Sequence, residues 1–270
     1  MKRVAADFAG EVDPPQCAPS TGKKIAILGG GPGGLSAAYY LQLMGHQTTV
    51  YEMLPKLGGM LRYGIPNYRL PKDRLDEDIN AILKTGVEVK YGLKIGEDIT
   101  IQQLRSEYDA VLITIGASTD KKLGLEGEDA DGVISAVQFL RDVGKDEALD
   151  LTGKEVAVVG GGNVAMDAAR TALRLGAEVH VIYRRSEAEL PARAEEVHHA
   201  KEEGIILDLL TNPVEILTDD KDWVTGIRCI RMELGEPDAS GRRRPVEIPG
   251  SEFEIEVDEV IMSLGTSRTR

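Results

Sequence analysis

The sequence predicts an α/β fold with parallel sheets, built as two copies of one strand–helix–strand unit. Three observations predict it. Short apolar runs bounded by glycines alternate with stretches of helical periodicity, the pattern of buried parallel strands joined by crossover helices and covered on both faces. The opening unit runs from strand Lys24–Leu28 through a glycine cluster and a helix from about Gly33 to Met44 into strand Thr48–Tyr51. It returns after Lys154 as strand Glu155–Val159, a second glycine cluster, a helix and strand Glu178–Tyr183, with Gly160 standing 131 positions after Gly29.

The other elements follow from local signals. Residues 1–22, punctuated by Asp13-Pro14-Pro15 and Pro19-Ser20, read as an N-terminal extension. Leu75, Ile79, Ile82 and Leu83 recur at helical spacing ahead of Gly86, which reads as the C-cap. Thr100 followed by Gln103 forms a capping box that starts a short helix. Asp109–Ile115 is another buried strand, ending at Gly116-Ala117. The Gly- and Asp-rich stretch from Ser118 to Thr152 reads as a connector with one helix around Ser135–Val143. Beyond the second unit the chain turns β-rich, with strands at Val214–Leu217 and Val224–Met232, a turn at residues 238–241 and a returning strand at Glu252–Val257. Val260–Leu264 is a last buried strand ending at Gly265, an echo of Ile113–Gly116. The expected division is therefore a first domain over residues 23–119, a connector over 120–152, a second domain over 153–266, and the start of a further segment at 267–270.

Composition narrows the function classes. At 270 residues, 42% hydrophobic and 29% charged, the chain has room for two domains of roughly 100–150 residues. A net charge of −13 leaves no basic surplus to neutralise phosphates, so no nucleic acid partner is expected. No apolar run approaches the ~20 residues that span a bilayer, and Lys2-Arg3 is followed by acidic and Pro-rich sequence where a signal peptide has an apolar segment. Cys17 and Cys229 are far apart and form no C-x-x-C pair, which argues against a disulfide framework, a cysteine-ligated zinc, or an in-chain iron–sulfur cluster. The expected compartment is cytoplasmic.

The glycine clusters carry the chemistry. Gly29-Gly30-Gly31-Pro32-Gly33-Gly34 is a G-x-G-x-x-G between a strand and a helix. The first glycine permits the tight turn, the second lets backbone approach a pyrophosphate, and the third allows close helix–strand packing. The helix N-terminus offers N–H groups and a positive dipole end to phosphates. Glu52, twenty-three residues after Gly29, ends the second strand where a carboxylate can accept bonds from ribose hydroxyls. The bland alternative is a glycine turn that only packs a βα unit. The second cluster, Gly160-Gly161-Gly162-Asn163-Val164-Ala165, is a G-x-G-x-x-A, and the same count of twenty-three reaches Tyr183 followed by Arg184 and Arg185. An acid there would repel a 2′-phosphate, whereas guanidinium groups bind one with charge-assisted bonds, so this turn should prefer NADP(H). Two solvated arginines after a strand are the alternative. Both units are thus Rossmann-like.

The sequence resembles the small-subunit family of NADPH-dependent glutamate synthase, whose relatives include subunits of electron-bifurcating ferredoxin:NADP oxidoreductases and the flavin part of dihydropyrimidine dehydrogenase. The matching stretches are 58–72 (GGMLRYGIPNYRLPK), Gly160–Gly176, Tyr183–Ser186 running into Glu189–Ala192, and 235–245 (GEPDASGRRRP), and the resemblance extends from about Thr21 to Gly265. It implies FAD at the first turn and NADPH at the second, with the NADP domain inserted in an interrupted FAD domain. Gly29, Gly31, Pro32, Gly33, Gly34 and Glu52 would hold the ADP half of FAD. Gly59, Met60 and Arg69 would lie toward the flavin, and Ile95 near the adenine. Gly160, Gly162, Asn163, Val164, Arg184 and Arg185 would bind NADPH, and Gly265 would lie where the chain passes between the cofactors. The family also has a returning Gly-Asp segment beyond the position of Gly265 and, in glutamate synthase, an N-terminal cysteine-rich domain. Ending at Arg270, the chain reads as C-terminally truncated, with an FAD domain lacking its usual return segment.

The implied reaction is hydride transfer from NADPH to FAD, then delivery of electrons to an iron–sulfur partner in a hetero-oligomer. The cofactors carry that chemistry, so no catalytic acid–base pair is expected of the protein. The alternative is a truncated pyridine-nucleotide-binding module that does not retain FAD and has no turnover alone. No metal site is expected. His198-His199 point in different directions on a helix within a charged face. Arg242-Arg243-Arg244 reads as a solvated hairpin tip or a partner contact, and Trp223 as a β-edge packing residue.

Overall fold

The structure, a computed structural model, describes residues 4, 7, 8, 10, 12–117, 119–145, 149–237, 239 and 241–267. They form two compact units that divide after Ala117.

In the first unit, strands β1 (Lys24–Leu28), β2 (Gln47–Glu52), β3 (Glu88–Tyr91) and β4 (Ala110–Ile113) make a parallel sheet in the order β3-β2-β1-β4. Helices α1 (Pro32–Leu43), α2 (Met60–Tyr63), α3 (Lys72–Leu83) and α4 (Ile101–Glu107) accompany it. Alternation along β1 splits its side chains between two faces. Ile27 joins Val50 against Leu35 and Ala38 of α1 and Leu75 and Ile79 of α3. Ala26 and Leu28 join Tyr51 against Leu104 of α4. The capping box of α4 forms as expected: Thr100 N–H donates to Gln103 Oε1 at 2.8 Å, and Gln103 N–H to Thr100 Oγ1 at 3.2 Å.

One expectation fails here. The strand expected buried over Asp109–Ile115 stops at Ile113, and Leu112, Ile113 and Ile115 are 37%, 58% and 50% exposed. Among the described residues β4 pairs only with β1, so it is an edge strand, and its apolar composition misleads about burial.

The second unit begins with β5 (Thr119–Asp120), β6 (Val133–Ser135) and α5 (Ala136–Gly144). These lie in the stretch read as a connector, and β6 is the edge strand of the second parallel sheet. The repeated unit follows as β7 (Glu155–Val159), α6 (Asn163–Arg174) and β8 (Glu178–Tyr183), then α7 (Ala194–Glu202) and β9 (Ile206–Leu209). The chain continues through β10 (Thr211–Thr218), β11 (Val224–Pro237), β12 (Arg243–Glu247), β13 (Phe253–Glu256), β14 (Glu259–Met262) and β15 (Thr266–Ser267). The parallel sheet has the order β6-β14-β7-β8-β9, and β15 pairs antiparallel with β5.

Among the described residues, helices cover one face of this sheet, where Phe139, Met166 and Val197 pack on Val156, Val158 and Val181. An antiparallel sheet, β10-β11-β12 with β13 also on β11, covers the other, so both faces are covered as expected, one of them by strands in place of helices. Alternation along β11 explains it, because Ile227 and Cys229 face inward with Ile216 against Ala157, Val159 and Val260. Residues 238, 240 and 268–270, on which parts of the expected turn and further segment fall, lie outside the described residues. Among the described residues no helix is long and apolar enough to cross a membrane.

A half-buried ion pair ties three strands of the second sheet. His180 Nδ1 lies 2.8 Å from Asp208 Oδ2, and its Nε2 lies 3.8 Å from Glu155 Oε2. The bond to Asp208 raises the imidazole above 6.5, desolvation opposes this, and Glu155 and Glu178 add to the rise. A raised folded value contributes stability that is whole below the unfolded value and fades as pH rises through the folded one. Urea unfolding of wild type and His180→Asn across this range should show a stability difference that shrinks steadily above pH 6.5. A difference independent of pH would remove this role from His180.

Candidate dinucleotide sites

The two glycine turns share one construction. Gly29 N–H donates to Tyr51 O at 2.8 Å and Thr114 N–H to Leu28 O at 2.9 Å. In the second unit Gly160 N–H donates to Ile182 O at 3.0 Å and Ser263 N–H to Val159 O at 2.8 Å. The strand following each pair therefore presses its backbone against the first glycine. A Cβ on Gly29 would lie 2.6 Å from Thr114 O, and one on Gly160 would lie 2.4 Å from Ser263 O, at φ +103° and +141°. Gly34 has the helix-packing role, since a Cβ there would meet Gly29 O at 1.9 Å. Its counterpart Ala165 keeps a fully buried methyl.

The middle glycines are different. Gly31 and Gly162 are the N-caps of α1 and α6, and neither helix start has a side-chain cap. A Cβ on Gly162 would meet nothing within 4 Å, and one on Gly31 only Gly59 Cα at 3.7 Å. Gly33 is similarly open, and Pro32 occupies the first helical position, where no N–H is lost to the helix. Open space thus faces uncapped N–H groups and the positive end of a helix dipole at each turn, which fits a pyrophosphate.

The strand ends decide what else each turn can hold. Glu52, 6% exposed, accepts Gly30 N–H on Oε2 at 2.7 Å and Leu54 N–H on Oε1 at 2.8 Å. The carboxylate therefore pins the turn, and a ribose must use the acceptor capacity these bonds leave. At β8 the chain passes from buried Tyr183 to exposed Arg184 and then to Arg185, which is 7% exposed and donates from Nε to the Arg243 carbonyl at 2.8 Å. The two arginines, alike in sequence, are placed differently.

The remaining sequence-predicted residues are placed as follows. Gly58 N–H donates to Gly30 O at 2.9 Å, and a Cβ on Gly59 would lie 2.7 Å from Gly31 Cα, so this segment packs directly on the first turn. Met60, 43% exposed, begins α2. Arg69 lies in the turn before α3, its N–H on Pro66 O at 3.0 Å. Ile95 bridges to Ile99 and packs against the Tyr51 and Leu104 cluster, on the segment that Leu93 N–H ties to Glu52 O. At the second turn Asn163 Oδ1 accepts Arg193 N–H at 2.9 Å, and Val164 is exposed. Gly265, exposed at φ +89°, accepts Lys121 N–H at 3.3 Å.

Several residues at these sites escaped the sequence reading. Buried Arg62 bonds to the Leu57 carbonyl and pairs with Asp76. Lys72 Nζ donates to Leu61 O at 2.9 Å and also to Ile65 O, and burial, aided by the Arg62 charge, lowers its ammonium to about 8. Together they brace the loop over the first turn. Near the second, Glu189 and Arg243 pair at 2.8 Å. The arginine run reads as a hairpin tip, but Arg243 and Arg244 begin β12, and Arg243 reaches back to the β8 loop. Exposed His198 pairs with Glu202 at 3.2 Å, and Trp223 is exposed with Lys154 5.9 Å from its ring centre. Both cysteines are free thiols, and burial pushes Cys229 up to about 12.

Comparison with known proteins bears on the family and the fold. The NADP(+)-dependent formate dehydrogenase subunit beta of Moorella thermoacetica is 52% identical over 91% of this chain and 35% of its own length. The glutamate synthase [NADPH] small chain of Escherichia coli (strain K12) is 40% identical over 91% of this chain and 54% of its own length. The chain thus spans between about a third and about half of these relatives. The structure of Mycobacterium tuberculosis FprA in complex with NADPH superposes with a TM-score of 0.77 at 23% identity, over 92% of this chain and 71% of that one, and shows the same fold. The family description of pyridine nucleotide-disulphide oxidoreductases matches residues 23–270, and the chain belongs to that family.

Proposed function

We propose that this chain is the nucleotide-binding part of an NADPH-dependent flavin oxidoreductase similar to the glutamate synthase small subunit. FAD takes the first turn and NADPH the second. The observation that carries the reading is the contrast between strand ends on one shared frame: a buried carboxylate at Glu52 and an exposed guanidinium at Arg184. A carboxylate suits ribose hydroxyls, and a guanidinium suits a 2′-phosphate.

In this reading Gly29, Gly31, Pro32, Gly33, Gly34 and Glu52 hold the ADP half of FAD. Gly59, Met60 and Arg69 lie toward its ring and Ile95 toward its adenine. Gly160, Gly162, Asn163, Val164, Arg184 and Arg185 hold NADPH, and Gly265 serves the passage between them. When bound, the cofactors supply hydride transfer from nicotinamide to flavin. The protein binds, orients and excludes water, and the braced loop from Leu57 to Lys72 packs on the first turn through Gly58 and Gly59. An iron–sulfur partner subunit is the acceptor class that this reading names, supported by relatives that are themselves subunits or chains of larger enzymes. Free thiols at Cys17 and Cys229 fit a reducing, cytoplasmic setting.

Visible absorbance of the purified chain with FAD, followed by anaerobic NADPH, tests the whole reading. Flavin bands that bleach on NADPH addition are expected, and a chain that binds neither cofactor overturns it. Arg184→Ala should weaken NADPH binding by roughly 1.5–3 kcal/mol, the range for a hydrogen bond to a charged group, with NADH binding unchanged in calorimetric titration. Equal loss for both nucleotides would sink the phosphate assignment. Glu52→Ala leaves two backbone N–H groups unpaired, at a cost of roughly 1–3 kcal/mol for each. It should lower the unfolding midpoint and the FAD affinity together, whereas unchanged FAD affinity would confine Glu52 to a structural role.

A further inference from the structure

Glu189 is a carboxylate only four to five residues from the arginines of the second turn, and it is 8% exposed. Ser186 Oγ bonds to it, and Arg243 Nε donates to its Oε1 at 2.8 Å, and these two partners hold its carboxyl below the usual range. The backbone around it is fixed as well, since Tyr183 Oη donates to the Glu189 carbonyl at 2.8 Å and Tyr183 and Leu190 both lie where a Cβ on Gly161 would fall. Arg243 serves this loop twice. Its guanidinium faces the Glu189 carboxylate, while its own carbonyl accepts Arg185 Nε–H. β12, a strand outside the repeated βαβ unit, thus reaches the site that distinguishes the nucleotides.

We propose that Arg243 is a positioning residue for nucleotide selectivity: it neutralises Glu189 and fixes Arg185, which leaves the β8 loop able to receive a 2′-phosphate. The inference rests on the proposed placing of NADPH at the second turn. An anion buried beside a phosphate site repels the ligand and competes for its arginines unless another cation holds it. With the Arg243 side chain removed, Glu189 loses its cationic partner on the same loop that carries Arg184 and Arg185. The carbonyl of residue 243 survives any substitution, so side-chain variants isolate the neutralising role.

The test is calorimetric titration of the full chain with NADPH and with NADH, with unfolding midpoints recorded for each variant. Arg243→Met should weaken NADPH about tenfold or more while leaving NADH within about twofold, tenfold being the factor that 1.4 kcal/mol represents. Arg243→Lys retains the charge and should retain most of the selectivity. Glu189→Gln combined with Arg243→Met removes the uncompensated anion and should restore NADPH affinity toward wild type. Parallel loss for both nucleotides, or no rescue in the double variant, overturns the positioning role. Wild-type protein with no preference for NADPH would instead overturn the placing of NADPH itself. Should Arg243→Met fail to fold, the Lys variant and Glu189→Gln alone, expected to hold or improve the NADPH preference, decide the same question.

Discussion

In both units, a main-chain carbonyl from a neighbouring strand occupies the place where the first glycine of the turn would carry a side chain. Thr114 O fills it at Gly29 and Ser263 O at Gly160. This contact fixes where the strand before the turn stops and how soon the helix after it can begin. It also sets the third position, because a helix that begins so close to the turn must pass its own residue over the carbonyl of the first glycine. With β1, β2 and β4 zipped at their ends, and β7, β8 and β14 likewise, the helix starts and the second-strand ends are fixed relative to each other within each unit. Discrimination between nucleotides needs that rigidity, since a charged group can select a ligand only if its position is held.

On this shared frame, the chemical difference lies in what meets the end of the second strand. Glu52 is drawn inward by two backbone N–H groups, so the first turn carries its negative charge as part of its own hydrogen bonding. The second turn has no such acid at Tyr183: Arg184 and Arg185 stand at the strand end, Arg243 of β12 holds Arg185 through its carbonyl and pairs with Glu189 through its guanidinium, and the Arg193 backbone N–H bonds to Asn163.

Much of this was legible in the sequence because it is local. Strand β1, the capping box of α4 and the 131-residue repeat depend on neighbours a few positions away, and periodicity or spacing reveals them. What was not legible depends on partners distant in sequence. The exposure of Leu112 and Ile113 follows from sheet order, which an apolar run cannot report. The antiparallel cover of the second sheet needed the inward face of β11 to be matched with β7 and β14. Arg184 and Arg185 look equivalent as a pair, yet an Nε bond to a residue 58 positions away separates them. The triple arginine read as a tip because its turn residues are local signals, while the pairing of Arg243 with Glu189 spans 54 positions.

That difference bears on how binding residues are recognised. Glu52 and Arg185 were both singled out as ligand contacts, and both are buried and bonded within the chain. Being bonded does not disqualify either, because a side chain already held in place loses little further rotamer freedom when a ligand arrives. Arg184 is the opposite case, exposed and available, and must be ordered by whatever it binds. A site assembled from one exposed cation and one fixed cation separates the two tasks. In the proposed reading the fixed residue would define the geometry, and the exposed one would supply the charge that the ligand meets. The same division holds at the first turn, where Glu52 is fixed and the open helix start above Gly31 is what a phosphate meets. Which charges stay fixed in such a frame is decided by residues outside the glycine motif, and at the second turn Arg243 of β12 is one of them, with its carbonyl on Arg185 and its guanidinium on Glu189.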